Sequence, residues 1–260
     1  MRALVVVIAA LLYTAVLARA EAPLYSADSI VNSADNQPGI LAPNTLATIY
    51  GKNLAYGTKA LSPDDVRGGI LPTVFPGTGT HVIIGSLLAN LIYVSPTQIN
   101  FLVPPNLIPG TVNLNVVVDG WAGPTVAIQL ASASPALFQI GPVAIATHAD
   151  GSLITSDSAA HPGDAVVLYA TGLGQTVPPV AYGELPKAAA KLSQMSRFTV
   201  LLDGVAIDAG LIFYAGVAPG FAGLYQINLF LPAGVDPDPQ ISIGFPDTVS
   251  PAGVTIPVQP

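Results

Sequence analysis

The sequence has 260 residues, a formal net charge of −7, no cysteine and only 9% charged residues. The acidic balance argues against nucleic acid as a partner, because phosphate binding needs a basic surface. Disulfides cannot stabilise the fold. Since an average globular domain has about 25% charged residues, this surface must also use uncharged polar, Gly, Pro and apolar groups.

The first 20 residues have the layout of a secretory signal peptide. Arg2 supplies a positive start, an apolar run follows over 3–17, and Ala18-Arg19-Ala20 is a small-x-small cleavage pattern. The alternative is a membrane anchor, but the apolar run falls short of the ~20 residues that a span needs. We therefore expect export to the periplasm or out of the cell, cleavage after Ala20, and no membrane span in the mature chain.

The rest of the chain predicts an all-β fold. Gly and Pro, 25 of each, punctuate short runs rich in Val, Ile, Leu and Thr, a pattern typical of sandwiches and barrels. Asp119-Gly120 and Asp203-Gly204 each separate two apolar runs and predict hairpin turns. The only helix-like stretch, 185–196, is interpreted as a loop with at most a short helix.

The sequence also repeats itself. PNTLATIYGKNL (43–54) resembles PGDAVVLYATGL (162–173), 119 residues further on, and QINFLVP (98–104) resembles QINLFLP (226–232). Together with two further blocks in the same order, these matches predict two tandem β-sandwich units, 27–139 and 141–260. The link near 139–142 is short and mostly apolar, so we expect the units to pack against each other.

These blocks resemble known extracellular domains. Residues 42–54 are similar to the opening strand and turn of IPT/TIG domains, which are immunoglobulin-like. YVSPTQINF (93–101), LYATGLG (168–174) and APGFAGLYQIN (218–228) are more similar to an uncharacterised C-terminal domain of secreted proteins from Solibacter and other Acidobacteria. The resemblance covers roughly 30–260 and implies an extracellular β-sandwich module of unknown activity, with no catalytic residues to carry over.

Candidate catalytic groups are sparse. The three histidines, His81, His148 and His161, lie in separate segments, and the G-x-S-x-G motif of serine hydrolases is missing. Two acidic pairs, Asp64 with Asp65 and Asp236 with Asp238, and the isolated Glu184 are interpreted as solvated turn residues. This turn context argues against a glycosidase pair, and neither pair has the ligand count or spacing of a known calcium loop. We therefore expect no enzyme activity, no cofactor and no metal site.

Exposed aromatic side chains near polar groups are the candidates for ligand binding. Trp121 follows a predicted turn, and Tyr56 and Tyr182 lie in predicted loops. The alternative for Trp121 is that its ring folds back onto the sandwich.

The repeated polar residues Tyr50, Tyr169, Gln98, Asn100, Gln226 and Asn228 form a structural repeat motif. Strand alternation places each Gln and Asn on one face and the intervening Ile on the other. The simplest interpretation is that these amides bond the backbone of neighbouring loops. A duplicated ligand site is the alternative.

Three functions remain open at this point. The first is a non-catalytic extracellular structural or protein-interaction module, with envelope or extracellular proteins as partners. The second is a carbohydrate-binding or adhesive module with a polysaccharide ligand, and the third is a secreted hydrolase.

Overall fold

A computed structural model of the protein describes residues 21–260, so the predicted signal peptide lies outside the described residues. The all-β prediction is confirmed. In this part of the chain the helical segments are short 3-10 turns at Ala27–Ser29, Pro63–Asp65, Met195–Arg197 and Ala209–Leu211. None of the described helices is long and apolar enough to cross a membrane.

The first half of the described chain forms two antiparallel sheets. The first front sheet has the order β1-β2-β7-β6-β3, and the first back sheet has the order β10-β8-β4-β5, with β9 paired to β8. The strands are β1 (Ile30–Asn32), β2 (Leu46–Tyr50), β3 (Lys59–Ala60), β4 (Thr80–Ile84), β5 (Leu87–Leu88), β6 (Asn90–Val94), β7 (Gln98–Leu102), β8 (Gly110–Val118), β9 (Trp121–Ala122) and β10 (Val126–Leu130).

The second half has the same plan. The second front sheet has the order β11-β15-β21-β20-β17-β16, with β14 paired to β15; the second back sheet is β19-β18-β22-β23, and β12 pairs with β13. The strands are β11 (Ala136–Leu137), β12 (Gln139–Ile140), β13 (Val143–Ala144), β14 (Ala146–His148), β15 (Ala165–Thr171), β16 (Thr176–Val177), β17 (Ala190–Leu192), β18 (Thr199–Leu202), β19 (Val205–Ala206), β20 (Ile212–Val217), β21 (Tyr225–Phe230), β22 (Ile241–Phe245) and β23 (Thr248–Val249).

Each pair of sheets encloses a hydrophobic core. One cluster of buried side chains lies between Ile30 and Leu130, and the other between Ala133 and Val258. In both, alternate residues of the front and back strands point into the core, which makes each half a β-sandwich. Strand β11 pairs with β15 and so belongs to the second front sheet. This pairing supports a proposed division of the two units between Leu130 and Ala133, slightly before the predicted link near 139–142.

The predicted hairpin turns are confirmed. Asp119 and Gly120 have φ values of 45° and 85°, and Asp203 and Gly204 have values of 49° and 79°. Two successive positive φ angles are the geometry that a tight two-residue hairpin requires. The turns join β8 to β9 and β18 to β19.

The interpretation of 185–196 as a loop is partly wrong. Ala190–Leu192 form β17, which pairs with both β16 and β20. Ala190 and Leu192 are buried on either side of the exposed Lys191, but three residues are too few for this alternation to stand out in an alanine-rich stretch.

Candidate functional site

The repeat motif lies on the outer faces of the two front sheets. Tyr50 is opposite Gln98 in the pairing of β2 with β7, and Tyr169 is opposite Gln226 in the pairing of β15 with β21. The intervening isoleucines, Ile99 and Ile227, are fully buried in the two cores. Alternation along the strand therefore directs the polar side chains away from the core, as predicted.

The amides of this motif do not bond loop backbone, so that expectation is wrong. Gln98 Nε2 donates to Asn100 Oδ1 at 2.7 Å, and Gln226 Nε2 donates to Asn228 Oδ1 at 2.8 Å. Residues two apart on a strand share a face, which places the two amides within reach of each other. Each sandwich therefore carries the same pair of bonded amides beside a tyrosine.

The outer face of the second front sheet also carries two exposed phenylalanines. The Phe213 and Phe230 rings lie 5.1 Å apart between centroids and are 46% and 45% exposed. Phe230 is in line with Gln226 and Asn228 on β21. Phe213 is the extra residue of a β-bulge between Ile212 and Tyr214. We call Phe213 and Phe230 the aromatic pair.

Sequence reasoning missed the aromatic pair. The signal for Phe230 was available, since alternation from Gln226 and Asn228 leads directly to it. Phe213 was not accessible in this way, because a bulge changes which face a residue occupies and simple alternation cannot locate one.

The first front sheet has a covered leucine pair at the end where the second front sheet has the exposed aromatic pair. Its outer face closes with Leu46 and Leu102, which pair across β2 and β7. Leu102 lies outside the first core cluster, yet it is only 1% exposed. The loop of residues 218–224, which joins β20 to β21, covers it. We call this segment the interface loop.

Gly223 makes the close contact of the interface loop with the first sandwich. A Cβ at this position would lie 2.6 Å from Leu102 Cδ1 and 2.8 Å from Leu46 Cγ. The φ of Gly223 is 63°, in the left-handed region that favours glycine. A glycine is therefore required here both by the backbone conformation and by the lack of space.

Polar contacts fix the interface loop in register. The Leu46 amide donates to Thr171 Oγ1 at 2.9 Å, and the Thr171 hydroxyl donates to the Gly223 carbonyl at 2.7 Å. Thr171 is fully buried, so its hydroxyl supplies one acceptor and one donor where water is excluded.

Tyr225 is a second polar link between the sandwiches. Its side chain is fully buried; the hydroxyl donates to the Gly174 carbonyl and accepts from Asn44 Nδ2 at 3.0 Å. Burial raises the pKa of Tyr225 well above its usual range. The neutral phenol is therefore the form that stabilises the fold.

The predicted ligand residues do not form one cluster. Trp121 begins β9 and is 47% exposed, and the Tyr56 amide donates to the Thr78 carbonyl near the same end of the first sandwich. The Tyr182 hydroxyl instead donates to the Leu88 carbonyl on β5, toward the opposite end of β4. Trp121 and Tyr56 thus lie toward one end of the first sandwich and Tyr182 toward the other, and their role stays a prediction.

Two of the acidic candidates, Asp65 and Asp238, make structural contacts. Asp65 accepts from the Ser62 hydroxyl and lies 3.0 Å from Lys59 Nζ. These two contacts hold the pKa of Asp65 below its usual value. Asp238 accepts from the Val258 amide. Among residues 21–260, no group of three or more His, Cys, Asp or Glu side chains is arranged to hold a metal ion.

Comparison with known proteins adds to this geometry. Residues 37–140 match the family model of the IPT/TIG domain. This part of the chain is therefore an immunoglobulin-like sandwich, in line with the resemblance seen in the sequence. No curated protein matches the sequence.

The similar solved structures are distant. The surface glycan-binding protein PbSGBP-B of Prevotella bryantii is 11% identical, with a TM-score of 0.27, over 88% of this chain and 41% of its own. SGBP-B of Bacteroides ovatus is 10% identical, with a TM-score of 0.34, over 85% of this chain and 43% of its own. The chain thus spans less than half of either protein.

Proposed function

We propose that the protein is a non-catalytic, exported interaction module that binds another protein through the outer face of its second front sheet. The exposed aromatic pair carries this proposal. Each phenylalanine leaves roughly half of a ~200 Å² surface in water, so covering both rings would remove ~180 Å² of apolar surface. At ~25 cal/mol per Å², that burial is worth ~4–5 kcal/mol before the costs of association.

The neighbouring side chains suit a binding face. Aromatic side chains are enriched where protein interfaces are most deeply buried, with polar groups around them. Here the aromatic pair lies beside the bonded amides of Gln226 and Asn228, and β21 carries no charged residue. β20 is likewise uncharged, and the exposed Lys191 lies further along the same face, opposite Gly216. A neutral partner surface can therefore cover the part of the face around the aromatic pair without burying an unpaired charge.

Photocrosslinking tests this function. A benzophenone side chain would be placed at Phe213 in one protein and at Phe230 in another. The control places it at Val205, which is 70% exposed on the second back sheet. After irradiation with envelope and secreted fractions of the source, we expect the same protein on both test positions and not on the control. Identical patterns at all three positions, or none at any, would count against the proposal.

Carbohydrate binding is the second candidate, and the exposed Trp121 and Tyr56 support it. Indole and phenol rings stack on sugar faces when they are exposed beside polar groups. Retention on insoluble polysaccharides should then fall when Trp121→Ala is introduced and persist in the control Val205→Ala. Equal retention by the two variants would remove Trp121 from this hypothesis.

A further inference from the structure

The two front sheets are equivalent strand by strand, so their outer faces can be compared position by position. In the first sandwich the Asn44 amide donates to the Val103 carbonyl, and the Val103 amide donates to the Thr45 carbonyl. In the second sandwich the same two bonds run from the Gly163 amide to the Leu231 carbonyl and from the Leu231 amide to the Asp164 carbonyl. The pair Leu46 and Leu102 therefore corresponds to Ala165 and Phe230, which also face each other across two strands.

The β-bulge is repeated as well. It lies between Leu91 and Tyr93 in the first sandwich and between Ile212 and Tyr214 in the second. Ile92 therefore corresponds to Phe213. The aromatic pair occupies the same place on the second sandwich that Ile92 and Leu102 occupy on the first.

These equivalent places differ in what covers them. In the first sandwich Leu102 is 1% exposed because the interface loop packs on it, whereas in the second Phe230 is 45% exposed. The chain thus shows, within its own structure, which kind of group docks at the end of this sheet face. That group is a short uncharged loop whose glycine approaches the sheet.

We propose that the aromatic pair, together with Ala165, binds a glycine-bearing, uncharged loop of another β-sandwich, in the way that Leu46 and Leu102 hold the interface loop. This inference rests on the proposed function and names the partner class for the same face. A second copy of the chain is not the partner, because its interface loop is engaged on its own first sandwich. The corresponding connection in the first sandwich, residues 95–97, is much shorter.

A cyclised peptide of residues 217–225 is the probe for this inference. The Ala218 amide donates to the Leu224 carbonyl, so closing the peptide preserves the shape that the loop has in the protein. The matched control is the same peptide with Gly223→Ala, because a Cβ at this position would collide with Leu46 and Leu102 on the equivalent face of the first sandwich. Both peptides would be titrated into the ¹⁵N-labelled protein and followed by backbone amide shifts.

We expect saturable shifts at Ala165, Phe213 and Phe230, with at least tenfold weaker binding of the control peptide. Phe230→Ser should abolish these shifts, whereas Phe230→Leu, which reproduces Leu102, should retain them. Thermal unfolding of both variants would establish that they are folded, and Phe213→Ser replaces Phe230→Ser if the latter is not.

No saturable shift, or shifts confined to the surroundings of Leu46 and Leu102, would overturn the inference. If the peptide fails while crosslinking at the aromatic pair yields a protein, the partner class is wrong and the interaction function stands. If both fail, both proposals are overturned.

Discussion

Replacing Tyr225 with phenylalanine tests the polar link between the two sandwiches. The substitution removes one oxygen and keeps the ring, so it creates little cavity. It leaves the buried Gly174 carbonyl without its donor and Asn44 Nδ2 without its acceptor. Because each buried group that loses its only partner costs ~1–3 kcal/mol, and two groups do so, we expect Tyr225→Phe to lower the free energy of unfolding by ~2–6 kcal/mol.

Urea denaturation would measure this loss, monitored by Trp121 fluorescence and by circular dichroism. Coincident transitions would justify a two-state free energy. The control is Tyr50→Phe, since the Tyr50 hydroxyl makes one exposed hydrogen bond, to Asn36 Oδ1, and its loss should cost ~0.5–1 kcal/mol. A loss below ~1 kcal/mol for Tyr225→Phe, or one equal to the control, would refute the reasoning.

Three further predictions concern the ionisation of Tyr225, the space around Gly223 and the ionisation of Asp65. Burial raises the pKa of Tyr225 in the folded protein. The stability that the Tyr225 phenol contributes is therefore complete below its pKa in the unfolded chain, ~10, and falls as pH rises above that value. Urea midpoints measured from pH 8 to 11.5 should decline less in Tyr225→Phe than in the parent. Gly223→Ala should cost ~1–3 kcal/mol more than Gly220→Ala, because both glycines have positive φ but only Gly223 lacks space for a Cβ; equal urea midpoints would contradict this. Ser62 and Lys59 lower the pKa of Asp65 in the folded protein. The stability that the Asp65 carboxylate contributes is therefore present above its pKa in the unfolded chain, ~3.9, and is lost as pH falls through its lower pKa in the folded protein. The difference in melting temperature between the parent and Asp65→Asn should shrink toward pH 2.

Much of the architecture could be predicted from the sequence because the determining interactions are local. Asp119-Gly120 and Asp203-Gly204 impose turns by their backbone preferences alone. The alternation around Ile99 and Ile227 separates a core face from an outer face without knowledge of the partner strands. The resemblance between 43–54 and 162–173 similarly locates β2 and β15, which occupy equivalent places in the two front sheets.

The candidate site was harder to predict because it depends on contacts between distant segments. Nothing near Leu102 in the sequence indicates that residues 218–224 cover it, whereas Phe230 is left exposed. Strand alternation predicts the correct face for the amides of Gln98 and Asn100 but does not predict their partners, since two residues on one strand can bond each other as readily as they bond a loop. The bulge at Phe213 has no simple sequence signature.

The interface loop has a consequence for the order of events during synthesis. Domains generally fold as units, with the N-terminal one first, so the first sandwich can form before residues 218–224 have emerged. During that interval Leu46 and Leu102 face solvent, and the nascent chain presents an apolar patch that the finished protein lacks. A chaperone that recognises short apolar segments would therefore find its target on the first sandwich, and would lose it when about the last sixth of the chain has been made.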